Sequence, residues 1–310
     1  MLIDFKKALF LLFFFFCLNI GLIIFLGDFL YKDQSHQSKK YLISKNFDIA
    51  FMGDSRAHRH FDVNFYNKHN KKKLRSINLG NSNINISSIK SFILDNKSLF
   101  EDKVVIIVTS SSQFNESNYG HSSTDNSGLF NIIKNENYLN KLNYNYNALF
   151  QYYFYSISNY FLYNVLDINK KLNEKNNGYL PVNRILYSEN IPEQVKGYNK
   201  YWYNQWKIGG KRSKIFYNDL ELIKENTKRL VILIPPVSSE VRKELKRNSL
   251  LQYENMFNEI IINFSQELNI EVIDLFNDAS FTLDKFYDIF HLNNKGSIHL
   301  MTKLLESEAF

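Results

Sequence analysis

Five short apolar runs separated by helix-patterned stretches predict an α/β chain, in which a five-stranded parallel sheet lies between two layers of helices. Two observations carry that prediction. The runs at 49–52, 74–79, 103–109, 230–234 and 270–275 are short and rich in Ile, Val, Leu and Phe, as strands buried on both faces are. The stretches between them are longer, and in 239–268 Leu250, Tyr253, Phe257, Ile260 and Phe264 recur at helical spacing as a buried stripe. Right-handed crossovers bring the loops that follow parallel strands to one edge of the sheet, which is where open α/β sheets bind their ligands.

The chain has 310 residues, enough for one large domain with additions. Residues 8–26 carry no charge and one polar residue, Asn19, close to the ~20 residues that cross a bilayer as a helix. Lys6 and Lys7 precede this run, which favours a cytoplasmic N-terminus and an exported remainder. The competing reading, a cleaved signal peptide, needs small residues at a cleavage site, whereas Leu26-Gly27-Asp28-Phe29-Leu30-Tyr31 is bulky. The organisation expected is an uncleaved membrane anchor at 1–31, a polar tether at 32–46, and a domain at 47–310 interrupted by an insertion at about 116–226.

The first strand ends in Gly53-Asp54-Ser55. Gly53 permits a sharp turn out of the sheet, and Ser55 falls where the next helix starts. Asp54 or Ser55 also suits a simple helix cap. His58 and His60 follow, two residues apart; such positions do not share a helix face, so they read as a solvated helix start rather than a metal site. The second strand, 74–79, leads into a loop at Gly80 and a helix at 87–100, and the third strand, 103–109, is largely β-branched. The insertion is rich in Tyr, Phe and Asn, with aromatic clusters at 152–155 and 160–163. It reads as a helical cap whose aromatics form its own core, or bind sugar rings or graze the membrane. Gly209-Gly210-Lys211-Arg212 lacks the spacing of a phosphate loop and reads as a turn. A helix is expected at 219–227, and Pro235-Pro236 stops the fourth strand.

After the fifth strand stands Tyr287-Asp288-Ile289-Phe290-His291. A carboxylate three residues before a histidine can orient the ring, whose other nitrogen can accept a proton from a serine hydroxyl. Ser55, Asp288 and His291 all lie in loops that the topology gathers at one sheet edge.

With these blocks the chain resembles the SGNH (GDSL-type) hydrolase superfamily. Gly53-Asp54-Ser55 matches the nucleophile block, Asn78-Leu79-Gly80 the second block, and Asp288-x-x-His291 the C-terminal one. Ile234-Pro235-Pro236-Val237-Ser238 and His291-Leu292-Asn293-x-Lys295-Gly296 resemble the membrane-anchored branch, whose members accompany O-acyltransferases in modifying cell-envelope polymers. The resemblance covers about 45–115 and 229–300. It implies a flavodoxin-like three-layer fold, Ser55 as nucleophile, His291 as base, Asp288 as its orienting acid, and the amides of Ser55 and Gly80 in an oxyanion hole. It departs at the third block, where the family presents Gly-x-Asn-Asp and this chain has Thr109-Ser110-Ser111-Ser112, so that either a serine hydroxyl, Ser111 or a neighbour, is the third donor or the hole rests on the Ser55 and Gly80 amides alone.

The net charge is +7 and the pI about 9.1, but the basic residues are spread along the chain. No nucleic-acid-binding signature accompanies them; an anionic membrane or acidic polymer is a more suitable partner than nucleic acid, but the heavy use of Asn, Lys, Ile, Phe and Tyr, as an AT-rich genome encodes, is the preferred explanation of the charge. The single cysteine, Cys17, excludes an internal disulfide and a multi-cysteine metal site, and no cofactor or metal is expected. The expected function is serine-dependent acyl transfer or ester hydrolysis on an envelope glycan, with an acetyl group as cargo. It would act at the cell membrane on the extracytoplasmic side. The rival is a non-catalytic, membrane-anchored partner of an O-acyltransferase.

Overall fold

A computed structural model describes residues 42–43, 46–82, 84–115, 176–204 and 206–307. The expected anchor, nearly all of the tether and the aromatic clusters of the insertion lie outside the described residues. Among the described residues no helix is long and apolar enough to cross a membrane. All of them belong to one unit, Lys39–Asp125 with Lys171–Phe310.

Strand β1, Ile49–Gly53, leads into helix α1, Ser55–His60, and then α2, Val63–His69. Strand β2, Ser76–Asn78, is followed by α3, Ile86–Asp95, and α4, Lys97–Phe100; strand β3, Val104–Val108, ends in a short 3-10 turn, Ser111–Phe114. Helix α5, Ile191–Tyr198, runs into a π-helical turn, Asn199–Tyr203, and α6, Lys211–Glu225, precedes β4, Arg229–Ile234. Helices α7, Ser239–Arg247, and α8, Leu251–Glu267, lead to β5, Glu271–Asp274, and the chain continues to α9, Asn294–Glu306.

All pairings in the sheet are parallel, in the order β2-β1-β3-β4-β5. This is the doubly wound order 2-1-3-4-5 of flavodoxin-like folds. Helix α9 packs against α1 and α2, α6 packs against α3, and α8 packs against α7 and β5, giving the expected three layers. The central strands β1, β3 and β4 are buried nearly throughout, so their unbroken apolar character follows from having helices on both sides. β5, at the edge, is half-exposed.

The structure corrects several details. Leu42 and Ile43 are buried in the domain core, so the end of the tether belongs to the domain. The helix placed at 219–227 begins earlier, at Lys211, directly after the bend at Gly209 and Gly210. It is the crossover from β3 to β4, so the last part of the supposed insertion is core. The stripe of α8 is rotated: Phe257 and Ile261 are buried together with Glu254, Asn258 and Ser265, while Tyr253, Ile260 and Phe264 are only partly covered. A polar residue was the last thing an apolar stripe would reveal.

Gly53 sets the turn out of β1. It pairs with Val108 across the sheet and adopts φ +141°, and a Cβ there would lie 2.1 Å from the Val108 carbonyl oxygen. Only glycine reaches such a conformation without strain. Gly53→Ala is therefore expected to destabilise the fold by at least about 1–3 kcal/mol, seen as a lower urea midpoint with an unchanged slope.

Candidate active site

Ser55 opens α1, whose cap is Asp54: the Asp54 carboxylate accepts the Arg56 amide at 2.9 Å. In the first turn the Ser55 amide has no intrahelical acceptor. The serine Oγ stands 2.7 Å from His291 Nε2, across 236 positions of sequence. His291 Nδ1 faces both carboxylate oxygens of Asp288, at 2.9 and 2.8 Å. A carboxylate at Nδ1 selects the tautomer with the proton there, leaving Nε2 to accept the serine proton.

The loop holding these groups is closed by local bonds. Asp288 Oδ1 also accepts the amides of Phe290 and His291, at 2.9 and 2.8 Å, so the carboxylate both orders the turn and orients the ring. Phe286 bridges Leu292, and Asn293 caps α9 through the Gly296 amide at 3.1 Å while its amide group donates to the Phe286 carbonyl. Burial by itself would raise the Asp288 carboxyl, but the bond to His291, that ring's charge and the two amides outweigh it and hold it below the usual carboxylate range. Asp288 thus remains an anion facing the ring.

His291 is packed from two sides. The Tyr287 ring stacks on it at 5.5 Å between centroids and 18° between planes, and the His60 ring meets it edge-on at 6.2 Å. His60 is fully buried, which corrects its reading as part of a solvated helix start: α1 is sealed under α9, where the His60 carbonyl accepts the Ser297 hydroxyl at 2.8 Å. Burial first, then the neighbouring His291 and Arg56, hold His60 well below the usual imidazole range, so it is neutral in the fold and takes a proton only on unfolding. Stability from this residue is consequently lost as pH falls below the ordinary value of about 6.5, at up to about 1.4 kcal/mol per pH unit. His60→Phe is expected to flatten the decline in folding free energy between pH 7 and pH 5 by that slope, measured by urea titration at each pH.

The two expected accessory donors are engaged elsewhere. The Gly80 amide donates to Asn78 Oδ1 at 2.9 Å. Asn78, fully buried, also gives its amide group to the carbonyls of Ala57 and Phe61, at 2.9 and 3.1 Å. Gly80 is pressed against α1: a Cβ would come within 2.5 Å of Ala57 Cβ and the His58 amide. Asn78-Leu79-Gly80 therefore acts here as a brace between β2 and the helix that begins at Ser55.

Ser111 is buried, and its hydroxyl donates to Glu254 Oε1 at 2.6 Å. Tyr203 donates to the same oxygen, and Arg212 reaches the carbonyls of Ser112, Gln113 and Asn115. Burial raises the Glu254 carboxyl, partly offset by Arg56 and the Ser111 bond. The turn after β3 is thus tied to α8 and α6, which corrects Ser111 as a third oxyanion donor. Ser111→Ala is expected to destabilise the protein by about 1–3 kcal/mol by leaving Glu254 short of a donor. Its effect on kcat should stay well below the 10²–10³-fold that removing an oxyanion donor costs; urea melts and steady-state kinetics on one preparation check both.

A strap at 176–190 joins the two halves of the site. Its Leu180 amide donates to the His58 carbonyl at 3.0 Å and its Leu186 amide to the Phe286 carbonyl at 2.8 Å. The Asn294 amide donates to the Val182 carbonyl at 2.8 Å, and Asn294 Oδ1 accepts from the Val182 amide and the Tyr179 hydroxyl, at 2.8 and 2.9 Å. The strap and Tyr203 carry no signature in the sequence, and the bracing bonds of Asn78 and Glu254 and the burial of His60 are not visible there either. The sole sequence signal was a glutamate at a position that the helical period places inside.

Solved structures similar to this chain include esterases and acylhydrolases. One is an acetylxylan esterase from Geobacillus stearothermophilus, at 12% identity over 86% of this chain and 95% of that one, with a TM-score of 0.42. Another is the lipase/acylhydrolase from Enterococcus faecalis, at 10% identity over 84% of this chain and 94% of that one, with a TM-score of 0.40. No protein-family model and no curated protein sequence matches the chain.

Proposed function

We propose that the protein transfers an acyl group through a covalent ester on Ser55. The reading is carried by one observation, the continuous line from Ser55 Oγ to His291 Nε2 and from His291 Nδ1 to Asp288. Such a triad is recognised by geometry and roles rather than by sequence position. In the first half-reaction His291 takes the hydroxyl proton as Oγ attacks the acyl carbon, and then delivers it to the leaving oxygen. The Asp288 anion stabilises the imidazolium between these steps. The same ring then takes a proton from the acceptor, water or a sugar hydroxyl, as the acceptor oxygen attacks the acyl carbon, and returns it to Ser55 Oγ as the ester bond to the serine breaks.

The Ser55 amide, at the start of α1, is the oxyanion donor this arrangement offers. With Gly80 and Ser111 engaged, the hole is sparsely furnished, and turnover should be correspondingly modest. The resemblance to the anchored branch supports the finer reading: an O-acetyl ester on a cell-envelope glycan, handled outside the membrane by a domain that residues 8–26 anchor, alongside an O-acyltransferase. The same two engaged donors favour the second reading, a non-catalytic partner of such a transferase.

The two readings separate in one experiment on the full chain in detergent. Wild-type protein is expected to react with a fluorophosphonate probe and to hydrolyse 4-nitrophenyl acetate. Ser55→Ala and His291→Ala should lose both, and Asp288→Asn should reduce kcat by about 10³–10⁴-fold. A folded wild-type protein that takes up no probe would overturn the catalytic reading in favour of the partner.

A further inference from the structure

Arg56 follows the nucleophile and is nearly sealed, at 5% exposure. Its guanidinium lies over the Phe290 ring, 4.7 Å from the centroid. Phe290 adjoins His291 in the chain and is met on its other contacts by the Tyr198 ring at 4.7 Å. A guanidinium keeps its charge at any working pH and carries five N–H donors.

Buried charges are ordinarily paired, because removing one from water is costly. Among the described residues Arg56 has neither: no carboxylate stands within ion-pair distance, and no acceptor takes a bond from its side chain. The nearby carboxylates are occupied. Asp54 caps α1, Asp288 holds His291, and Glu254 holds Ser111 and Tyr203. None of the guanidinium nitrogens is both sealed and without a partner; lacking partners, they still meet solvent.

We infer that Arg56 is the receptor for an anionic group, a carboxylate or a phosphate, borne by the molecule whose ester Ser55 attacks. The inference rests on the acyl-transfer reading and adds the substrate class to it: an acylated glycan whose unit carries a negative charge beside the ester. The planar fork suits two-point contact with either anion, and the Phe290 ring beneath it holds the guanidinium in place before the substrate arrives. Because Phe290 and His291 share one loop, an anion held on Arg56 sits at a set distance from the reacting carbon. The net charge of +7 draws such a polymer towards the protein over a longer range. A neutral sugar ester would leave the cation as unpaired as it is now.

The test uses acetyl esters of three methyl glycosides, one neutral, one a uronate and one a 6-phosphate. Wild-type kcat/KM is expected to favour one charged ester over the neutral one by about ten- to a hundredfold, the worth of a charge-assisted hydrogen bond. The advantage should lie in KM and shrink with added salt. The better of the two charged arms tells carboxylate from phosphate. Arg56→Gln should bring the charged-to-neutral ratio near one, and Arg56→Lys should keep part of it. Equal kcat/KM for all three in a probe-reactive wild-type enzyme overturns the inference, and so does a ratio that survives Arg56→Gln. Should no ester turn over, the deacylated glycosides are titrated into Ser55→Ala protein. Tighter binding of a charged glycoside supports the anion site by itself, and equal binding overturns it without reference to catalysis.

Discussion

The site depends on how closely β1 and β3 approach at their carboxyl ends. Gly53 lies against the Val108 carbonyl where no side chain fits, so the chain leaves the sheet within one residue and begins α1 at Ser55. The parallel order then brings the end of β5, far along the sequence, to the same edge. Asp288 and His291 reach Ser55 because strands that all point one way deliver all their following loops to one side. A side chain at Gly53 would force β1 and β3 apart at the point where α1 begins.

The strands, and the three side chains that meet at the sheet edge, were legible in the sequence for a common reason. A strand buried on both faces must be apolar throughout, and Ile49–Gly53 and Val104–Val108 say so without help from their neighbours. Ser55, Asp288 and His291 stood out because the chemistry proposed for them needs particular residue types in particular loops. What remained hidden are the polar braces. Asn78 resembled part of a motif that supplies an amide, and nothing in its spacing showed that its side chain would claim that amide. Glu254 occupies a core position in an apolar stripe, where periodicity predicts a hydrocarbon; its reason is Ser111, whose identity is set by a different strand. His60 reads as polar and solvated until α9 is known to cover it.

Electrostatically the site is divided. Its carboxylates are consumed by structural bonds to amides, a ring and hydroxyls, whereas its buried guanidinium rests on an aromatic face. The positive side of the site is therefore the side left to a ligand, while the negative side maintains the loops. A residue such as Asp288 serves both purposes at once: the oxygen that receives two amides also faces the base. Loss of its charge would loosen the turn as well as the ring.

The strap at 176–190 has a thermodynamic consequence. Through Leu180 and Leu186 it bonds the helix that carries Ser55 and the loop that carries His291, two parts that the sheet alone would let open separately. Backbone bonds to both bind them into one cooperative unit. Opening of the strap at Leu180, Leu186 or Asn294 would therefore loosen the Ser55 helix and the His291 loop together.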